Sequence, residues 1–338
     1  MYIVLKTIGS FGSLFSIIII DAFITIVIEF SLPIMTFGQS LDIQQPQQKD
    51  SNNNNNKVVI LTFGNAPKSQ YTYAKPILDT YGFKASFFVV CDWIDSDKDN
   101  SHMTWQDIEA LYKDGHDIQA KSLNHEDLTK LSTSDLDFEV GESKKCLADH
   151  NINSRVFGTP YGKGWDNSTV IDTIAKYYDF AITGFSNLMH LNCDGWDKQD
   201  EEEQEWNYQS NIQTDCRTYF DDGTLTYANR YSIREWSHDS ADKKYLDNDQ
   251  RTFEEFVKVV NSQDNFNNNN NENGIIKAIP IIAYHDLDYG ERIPGSTDVN
   301  LFDAEMKYLY DNAFTVLTMA DLGYDENTNQ LYIKQLDQ

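Results

Sequence analysis

Basic side chains are scarce in this chain: 27 Lys and Arg stand against 53 Asp and Glu, a formal charge of −26. Such a surface repels phosphate backbones, so nucleic acid is not an expected partner. The excess acid reads first as a solvated surface that keeps an exported protein soluble. Cysteine is scarce too. There are four, Cys91, Cys146, Cys193 and Cys216, and none stands in a CxxC or CxxH pair, which argues against a zinc site built from them. Charge is nearly missing from residues 1–40, where only Lys6, Asp21 and Glu29 occur. No segment repeats with a period of roughly 20–50 residues, which sets aside solenoids and propellers.

What is present suffices for a sizeable core. The 338 residues are 40% hydrophobic and 13% aromatic, enough for one large domain or two modest ones. At the N-terminus Lys6 precedes an uncharged stretch that includes Ile17–Ile20, and Ala22–Ile28 is a second apolar piece. A positive start followed by a short apolar core has the form of a secretory signal, with Thr36 and Gly38 placed for cleavage before Gln39. Three readings of residues 1–38 stay open: a cleaved signal, an uncleaved anchor over residues 7–37, and a buried core segment. Asp21 and Glu29 weigh against a membrane span, because each costs about 2.5–3.5 kcal/mol near the bilayer centre. The first two readings place the remaining chain outside the cytoplasm, secreted or attached to a membrane by its N-terminus. Residues 39–57 are Gln-rich, contain Asn52–Asn56 and read as a flexible polar linker. A second asparagine run, Asn267–Asn271, reads as a surface loop.

From Val58 onward, short apolar runs alternate with helix-length segments. Strands are expected at Val58–Phe63, Ala85–Val90, Gly115–Ala120, Arg155–Phe157, Phe180–Gly184, Ile275–Tyr284 and Ala313–Thr318, with an extended stretch at Tyr227–Trp236. Helices are expected at Tyr71–Tyr81, closed by Gly82, and at Thr104–Lys113, opened by Thr104 with Asp107 three residues on. Others are expected at Ser134–His150, Ser168–Tyr178, Arg251–Ser262 and Leu301–Asn312. Crossovers of helix length imply parallel pairing. About seven strand–helix units suit an incomplete barrel, and a doubly wound open sheet is the competing architecture. Residues 187–222 form an acidic insertion with little periodicity, bracketed by Cys193 and Cys216. A disulfide between those two is expected, worth about 3 kcal/mol on the loop-entropy account. Cys91–Cys146 is the weaker pairing, resting only on the even count, and buried or free thiols are the alternative.

In a parallel α/β barrel functional side chains sit at the C-terminal ends of strands. Those ends read Leu61-Thr62-Phe63-Gly64-Asn65-Ala66, Lys84-Ala85-Ser86-Phe87-Phe88-Val89-Val90, Gly115-His116-Asp117-Ile118 running on to Asn124-His125-Glu126-Asp127-Leu128, Phe157-Gly158-Thr159-Pro160-Tyr161-Gly162, and Ile281-Ile282-Ala283-Tyr284-His285-Asp286. This succession closely resembles the polysaccharide deacetylase family, the NodB-homology domain of carbohydrate esterase family 4. Its members show a TFDDG strand end, a KATFFVVG strand, a GHxIxxHTxTHxxL segment, a PPYG turn and a late LLHD strand. The likeness runs from about Val58 to Leu322 in the same order. It implies a distorted (β/α)7 barrel of parallel strands with one incomplete side, over residues 58–325, followed by a tail at 326–338. It also implies a divalent metal, usually zinc, held by Asp-His-His, and removal of acetyl groups from N-acetylated glycans. In that chemistry the metal polarises the amide carbonyl and a bound water, an aspartate acts as base and a late histidine as acid.

Carried over position by position, the resemblance breaks where the chemistry is concentrated. The base aspartate falls on Gly64, which has no side chain. The metal-binding aspartate falls on Asn65 and the first metal histidine on Lys121, an ammonium with no lone pair while protonated. Of the metal ligands only His125 is kept, so zinc is expected to bind weakly or not at all. The arginine of the turn falls on Gly158, with Arg155 three residues earlier. Tyr161 keeps the position whose backbone N–H stabilises the oxyanion, and His285 that of the general acid. Asp92 and Asp117 are the nearest spare carboxylates by sequence. Trp93, Trp105, Trp165 and Tyr161 are read either as the lining of a sugar groove or as core. His102, His116, His150, His190 and His238 fall outside the pattern. Three functions follow as alternatives: a glycan-binding protein with an impaired deacetylase site, an active metal-dependent deacetylase with substitute ligands, and a structural surface domain.

Overall fold

The computed structural model describes residues 57–95, 101–164, 167–191, 230–238, 249–267, 276–290, 295–328 and 330–334. The apolar start, most of the linker, Trp165, Cys193, Cys216 and most of the acidic insertion lie outside the described residues. Among the described residues no helix is long and apolar enough to cross a membrane.

Strand β1 (Val58–Gly64) is followed by α1 (Lys75–Tyr81), β2 (Ser86–Val89), α2 (Trp105–Lys113), β3 (Asp117–Ala120), α3 (Thr133–Asp149), β4 (Val156–Gly158), α4 (Ser168–Ala175) and β5 (Phe180–Phe185). The short β6 (Met189–His190), β7 (Ile233–Ser237), α5 (Asp249–Asn261), β8 (Ala278–Ile279) and β9 (Ile281–Tyr284) come next. Then follow β10 (Asp286–Asp288), β11 (Ser296–Asp298), α6 (Val299–Asp311), β12 (Thr315–Leu317), β13 (Leu322–Asp325) and β14 (Gln330–Ile333). Local chemistry marks several helix ends. Gly82 closes α1 in the left-handed conformation at φ 71°, and Thr104 with Asp107 forms a complete capping box at the start of α2.

Seven strands pair in parallel in the order β1-β2-β3-β4-β5-β7-β9, and β9 returns to β1. The fold is therefore a seven-stranded parallel α/β barrel rather than an open sheet. Its irregular side is the seam: β1 pairs with β12 over Val58–Ile60 and with β9 over Ile60–Phe63. The ring closes toward the C-terminal strand ends, while β12 stands beside β1 at the other end.

Alternation along each strand fixes what faces inward. Val59, Leu61 and Phe63 of β1 join the apolar cluster that includes Leu78, Ile108, Val140, Ile174 and Phe302 of the surrounding helices. Val58 and Ile60 join the second cluster with Phe88, Val156, Ile182, Ile233 and Ile281, the barrel interior. Leu317, Met319, Leu322 and Leu331 complete that interior cluster. Continuing the same parity carries Thr62 and Gly64 to its upper end.

Three departures from expectation have local causes. The segment expected as one helix from Tyr71 opens as a π-helical turn, Gln70–Ala74, before α1. The apolar run at Ile275–Tyr284 is cut at Pro280, which has no N–H to donate; Ala278–Ile279 turns aside to pair antiparallel with β6. The boundary expected at residue 325 falls inside a hairpin, because β14 pairs antiparallel with β13 and buries Leu331.

Cys91 and Cys146 form a disulfide with a sequence separation of 55. It ties the loop after β2 to α3, and closing a loop of that length is worth about 4 kcal/mol on the chain-entropy account. The bond fits an oxidising, extracytoplasmic compartment.

Candidate functional site

A cavity of about 270 Å³ opens at the C-terminal end of the barrel. Strand parity supplies its wall: Thr62 and Gly64 from β1, Phe88 from β2, Gly158 from β4, Ile182 from β5, Glu235 and Ser237 from β7, and Ala283 on β9. The loops just beyond the strands add Asn65, Lys121, His125, Tyr161 and His285. The structure thus brings together every position that the resemblance assigned to base, metal, oxyanion and acid.

These loops bend in an uncommon way. Eight described non-glycine residues adopt positive φ, and five of them, Asn65, Ala66, Ser122, His125 and Tyr161, belong to the three loops that carry the site. Left-handed backbone away from glycine persists only where the surroundings hold it, and its clustering at one cavity points to function. The supports are visible. Buried Glu139 of α3 accepts the backbone N–H groups of Leu123 and Asn124, both at 3.2 Å, and the Ser122 hydroxyl accepts that of His125 at 2.9 Å. Buried Gln70 donates through Nε2 to the carbonyls of Gly64 (2.7 Å) and His285 (2.8 Å), locking the ends of β1 and β9 together. The Ser69 hydroxyl also donates to Asp286, beside His285.

The space around Gly64 is already filled. A Cβ placed there would lie 2.8 Å from His285 Cδ2, 2.9 Å from His285 Nε2 and 3.0 Å from Lys121 Nζ. Lys121 is only 8% exposed, and its ammonium shares the room beside position 64 with the closer His285 ring. At Gly158, the position matched to the arginine of the turn, a Cβ would meet Phe88 Cδ1 at 2.8 Å, so a larger residue there requires that ring to shift. Arg155 offers no replacement: its Nε pairs with Asp179 Oδ2 at 2.7 Å, at the start of β4.

The His125 ring lies between Trp93 (centroids 5.1 Å apart) and Tyr161 (4.8 Å, edge-on). Burial lowers its pKa to about 4, and the positive charge of Lys121 pushes the same way. It is a neutral imidazole near pH 7. The donor set assigned to the metal is then one imidazole, one neutral carboxamide and one ammonium. These residues do not fit the Asp-His-His zinc site of the resemblance. Among the described residues the buried Asn65 carboxamide oxygen has no hydrogen-bond partner.

Neither spare carboxylate reaches the cavity. Asp117 opens β3, so it lies at the opposite end of the barrel, accepting from Ser86 Oγ at 2.7 Å and Gln119 Nε2 at 2.6 Å. Asp92 is exposed on the short turn after β2. The carboxylate that lines the cavity is Glu235, which accepts the Thr62 hydroxyl at 2.9 Å. Sequence reasoning missed it, although its parity with Ile233 inside β7 was the available signal. Of the aromatics, Tyr161 lines the cavity and is 56% exposed, joined by Phe185 at 50%. Trp105 instead stacks on His150 at 3.6 Å, away from the site.

Residues 51–181 match the family model for polysaccharide deacetylase. Over 126 residues the chain is 25% identical to the Bacillus subtilis protein named "Putative polysaccharide deacetylase YxkH", covering 37% of this chain and 44% of that protein. The match therefore spans less than half the length of that curated relative. Among solved structures, the Xyl-CE4 domain of a multidomain xylanase from the hindgut metagenome of Trinervitermes trinervoides aligns at 15% identity and TM-score 0.45, over 78% of this chain and 88% of that one. BA3943 of Bacillus anthracis, described as a CE4 family pseudoenzyme, aligns at 13% identity and TM-score 0.45, over 79% and 65%. The ordered strand-end motifs, the seven-stranded parallel barrel and the family match over residues 51–181 agree, and the chain is similar to polysaccharide deacetylases.

Proposed function

We infer that this is an extracytoplasmic, deacetylase-like protein that binds N-acetylated glycans with an impaired hydrolytic site. One observation carries the reading: the room beside Gly64 is taken by the His285 ring, 2.8 Å from where a Cβ would stand, and by the Lys121 ammonium at 3.0 Å. The position of the base and a position of the metal are altered together, and each alteration accommodates the other. Amide hydrolysis requires charge to be stabilised on the carbonyl oxygen while water loses a proton. Here the positions for both tasks carry glycine, asparagine and lysine. Tyr161, His125 and His285 remain as a polar rim able to hold an acetamido sugar. An extracytoplasmic setting is supported by the Cys91–Cys146 disulfide.

A second reading has its own support. Glu235 places a carboxylate in the same cavity as the neutral imidazole of His125. An active deacetylase using those two as substitute metal ligands is the alternative. Metal content of the purified chain, acetate release from N-acetylglucosamine oligomers, and calorimetric binding of those oligomers separate the two. Oligomer binding without zinc-dependent acetate release is the expected result. Substantial zinc-dependent release by the native chain overturns the impaired-site reading.

A further inference from the structure

One residue of the His125 loop is held at both of its backbone groups by parts of the fold that a covalent bond joins. The Leu123 carbonyl accepts the Asp92 N–H at 2.9 Å, and the Leu123 N–H donates to Glu139 at 3.2 Å. Asp92 sits in the turn Cys91–Trp93 after β2, next to Cys91. Glu139 sits on α3, two helical turns before Cys146, so the two side chains leave the same face of the helix. The Cys91–Cys146 disulfide ties that turn to that helix.

The same two supports reach His125. Glu139 also accepts the Asn124 N–H at 3.2 Å, and Trp93 of the turn stands 5.1 Å from the His125 ring, centroid to centroid. Glu139 is only 4% exposed, so its carboxylate and the two N–H groups satisfy one another away from water. Within the loop Ser122 and His125 take left-handed backbone, φ 61° and 64°, which persists only while the surroundings hold it. Leu123 and His125 are half-buried and Asn124 is exposed, so hydrogen bonds place this loop more than packing does.

We propose that Cys91–Cys146 is a redox-sensitive brace for this loop. Closed, it fixes Leu123–His125 at the mouth of the barrel; opened, it lets the turn and α3 part and the loop relax. Opening is thiol–disulfide exchange with a dithiol reductant. A thiolate of the reductant attacks the sulfur of half-buried Cys146, since Cys91 is 5% exposed, and Cys91 leaves and takes a proton. The reductant's second thiol then displaces Cys146, so the protein gains two electrons and two protons and the reductant closes to its own disulfide. Glu139 is the positioning residue through which the bond acts, whatever the cavity binds.

Amide hydrogen exchange by nuclear magnetic resonance tests this on the full chain: oxidised, treated with dithiothreitol, and as Cys91→Ser/Cys146→Ser. The serine variant isolates this bond from any other that dithiothreitol reduces, and Ile60 and Leu61 of β1 serve as internal references. With the bond open, the Leu123 and Asn124 amides are expected to exchange at least about tenfold faster relative to those references. The His125 ring signals should shift as Trp93 moves. Glu139→Ala, with the bond intact, is expected to give the same local loss. Glu139→Gln keeps an acceptor oxygen and should hold protection within about threefold of native. Equal loss of protection in the loop and in β1 makes the disulfide a general staple and overturns the proposal. An unchanged loop in the serine variant also overturns it, as does Glu139→Gln behaving like Glu139→Ala.

Discussion

Gly64→Ala is the smallest change that tests whether Lys121 and a side chain at position 64 exclude one another. The backbone at Gly64 is not left-handed, so alanine brings no conformational strain and only a methyl group. That methyl would stand 2.8 and 2.9 Å from the His285 ring and 3.0 Å from Lys121 Nζ. Contacts this short must relax. Lys121 Nζ is the far end of a flexible side chain and moves easily, whereas His285 follows a strand whose carbonyl is held by Gln70. Overpacking of this kind costs about 1–3 kcal/mol. At roughly 2–4 °C per kcal/mol for a domain of this size, the midpoint of thermal unfolding should fall by about 2–12 °C. Adding Lys121→Ala removes one of the two clashes, so the variants should be non-additive, with part of the alanine penalty recovered in the double variant. Thermal unfolding of the four chains, native, each single and the double, measures the coupling. Strict additivity, or a stabilising Gly64→Ala, refutes the claim that the two positions share one volume. The catalytic corollary is that restoring a base cannot succeed alone. Gly64→Asp, Asn65→Asp and Lys121→His together should produce zinc binding and acetate release, while Gly64→Asp alone should only destabilise.

The His125 imidazole should titrate with a midpoint near 4 by nuclear magnetic resonance. In Lys121→Met the midpoint should rise yet stay below 6.5, because burial is the larger cause; no movement refutes the Lys121 contribution. A folded pKa below the unfolded value means that the unfolded chain binds more protons, so this group's stabilisation is full above about 6.5 and is lost as pH falls toward 4. Reduction of Cys91–Cys146 should cost about 4 kcal/mol, read as a lowered unfolding midpoint in Cys91→Ser/Cys146→Ser; an unchanged midpoint shows that the loop is held by other contacts. Non-reducing peptide mapping should find Cys193 joined to Cys216, and two free thiols there end that expectation. A chain beginning at Asp50 should fold as well as the full chain, whereas ending it at Asp325 should destabilise it by removing β14 and the buried Leu331. Equal unfolding midpoints for chains ending at 325 and 338 contradict the hairpin's role.

The barrel was legible because its strands announce themselves twice, by apolar runs and by the turn and cap residues between them. Gly82 and the Thr104–Asp107 box end and begin helices where the sequence places them. The cavity positions were picked out instead by the resemblance of the strand ends to the family's motifs, and the parallel barrel places Gly64, Lys121 and His285 around one cavity. Carboxylates chosen by nearness in sequence do not reach it. Asp117 is four residues from Lys121, but that distance spans the whole of β3 and puts it at the other end of the barrel. Glu235 was missed because no motif fixed the register of its strand. Cys91–Cys146, expected from the sequence only on the even count, is the pair the structure forms, although four cysteines allow three connectivities.

Fold and reaction are separable here for a physical reason. The two apolar clusters that hold the barrel are built from Val58, Ile60 and their neighbours inside and from Val59, Leu61 and Phe63 against the helices. Gly64, Asn65, Lys121, His125 and His285 belong to neither cluster, sitting one layer above the interior apolar residues. Exchanging them changes hydrogen bonding and charge at the mouth while leaving the buried apolar area, the dominant stabilising term, nearly untouched. A chain can therefore keep every strand, the Pro160–Tyr161–Gly162 turn and the His285 strand end of a deacetylase while altering the base and two metal positions. The likeness to deacetylases lies in the layers below, whereas the proposed loss of hydrolysis rests on these few side chains at the rim, where a side chain at Gly64 would meet the His285 ring and the Lys121 ammonium.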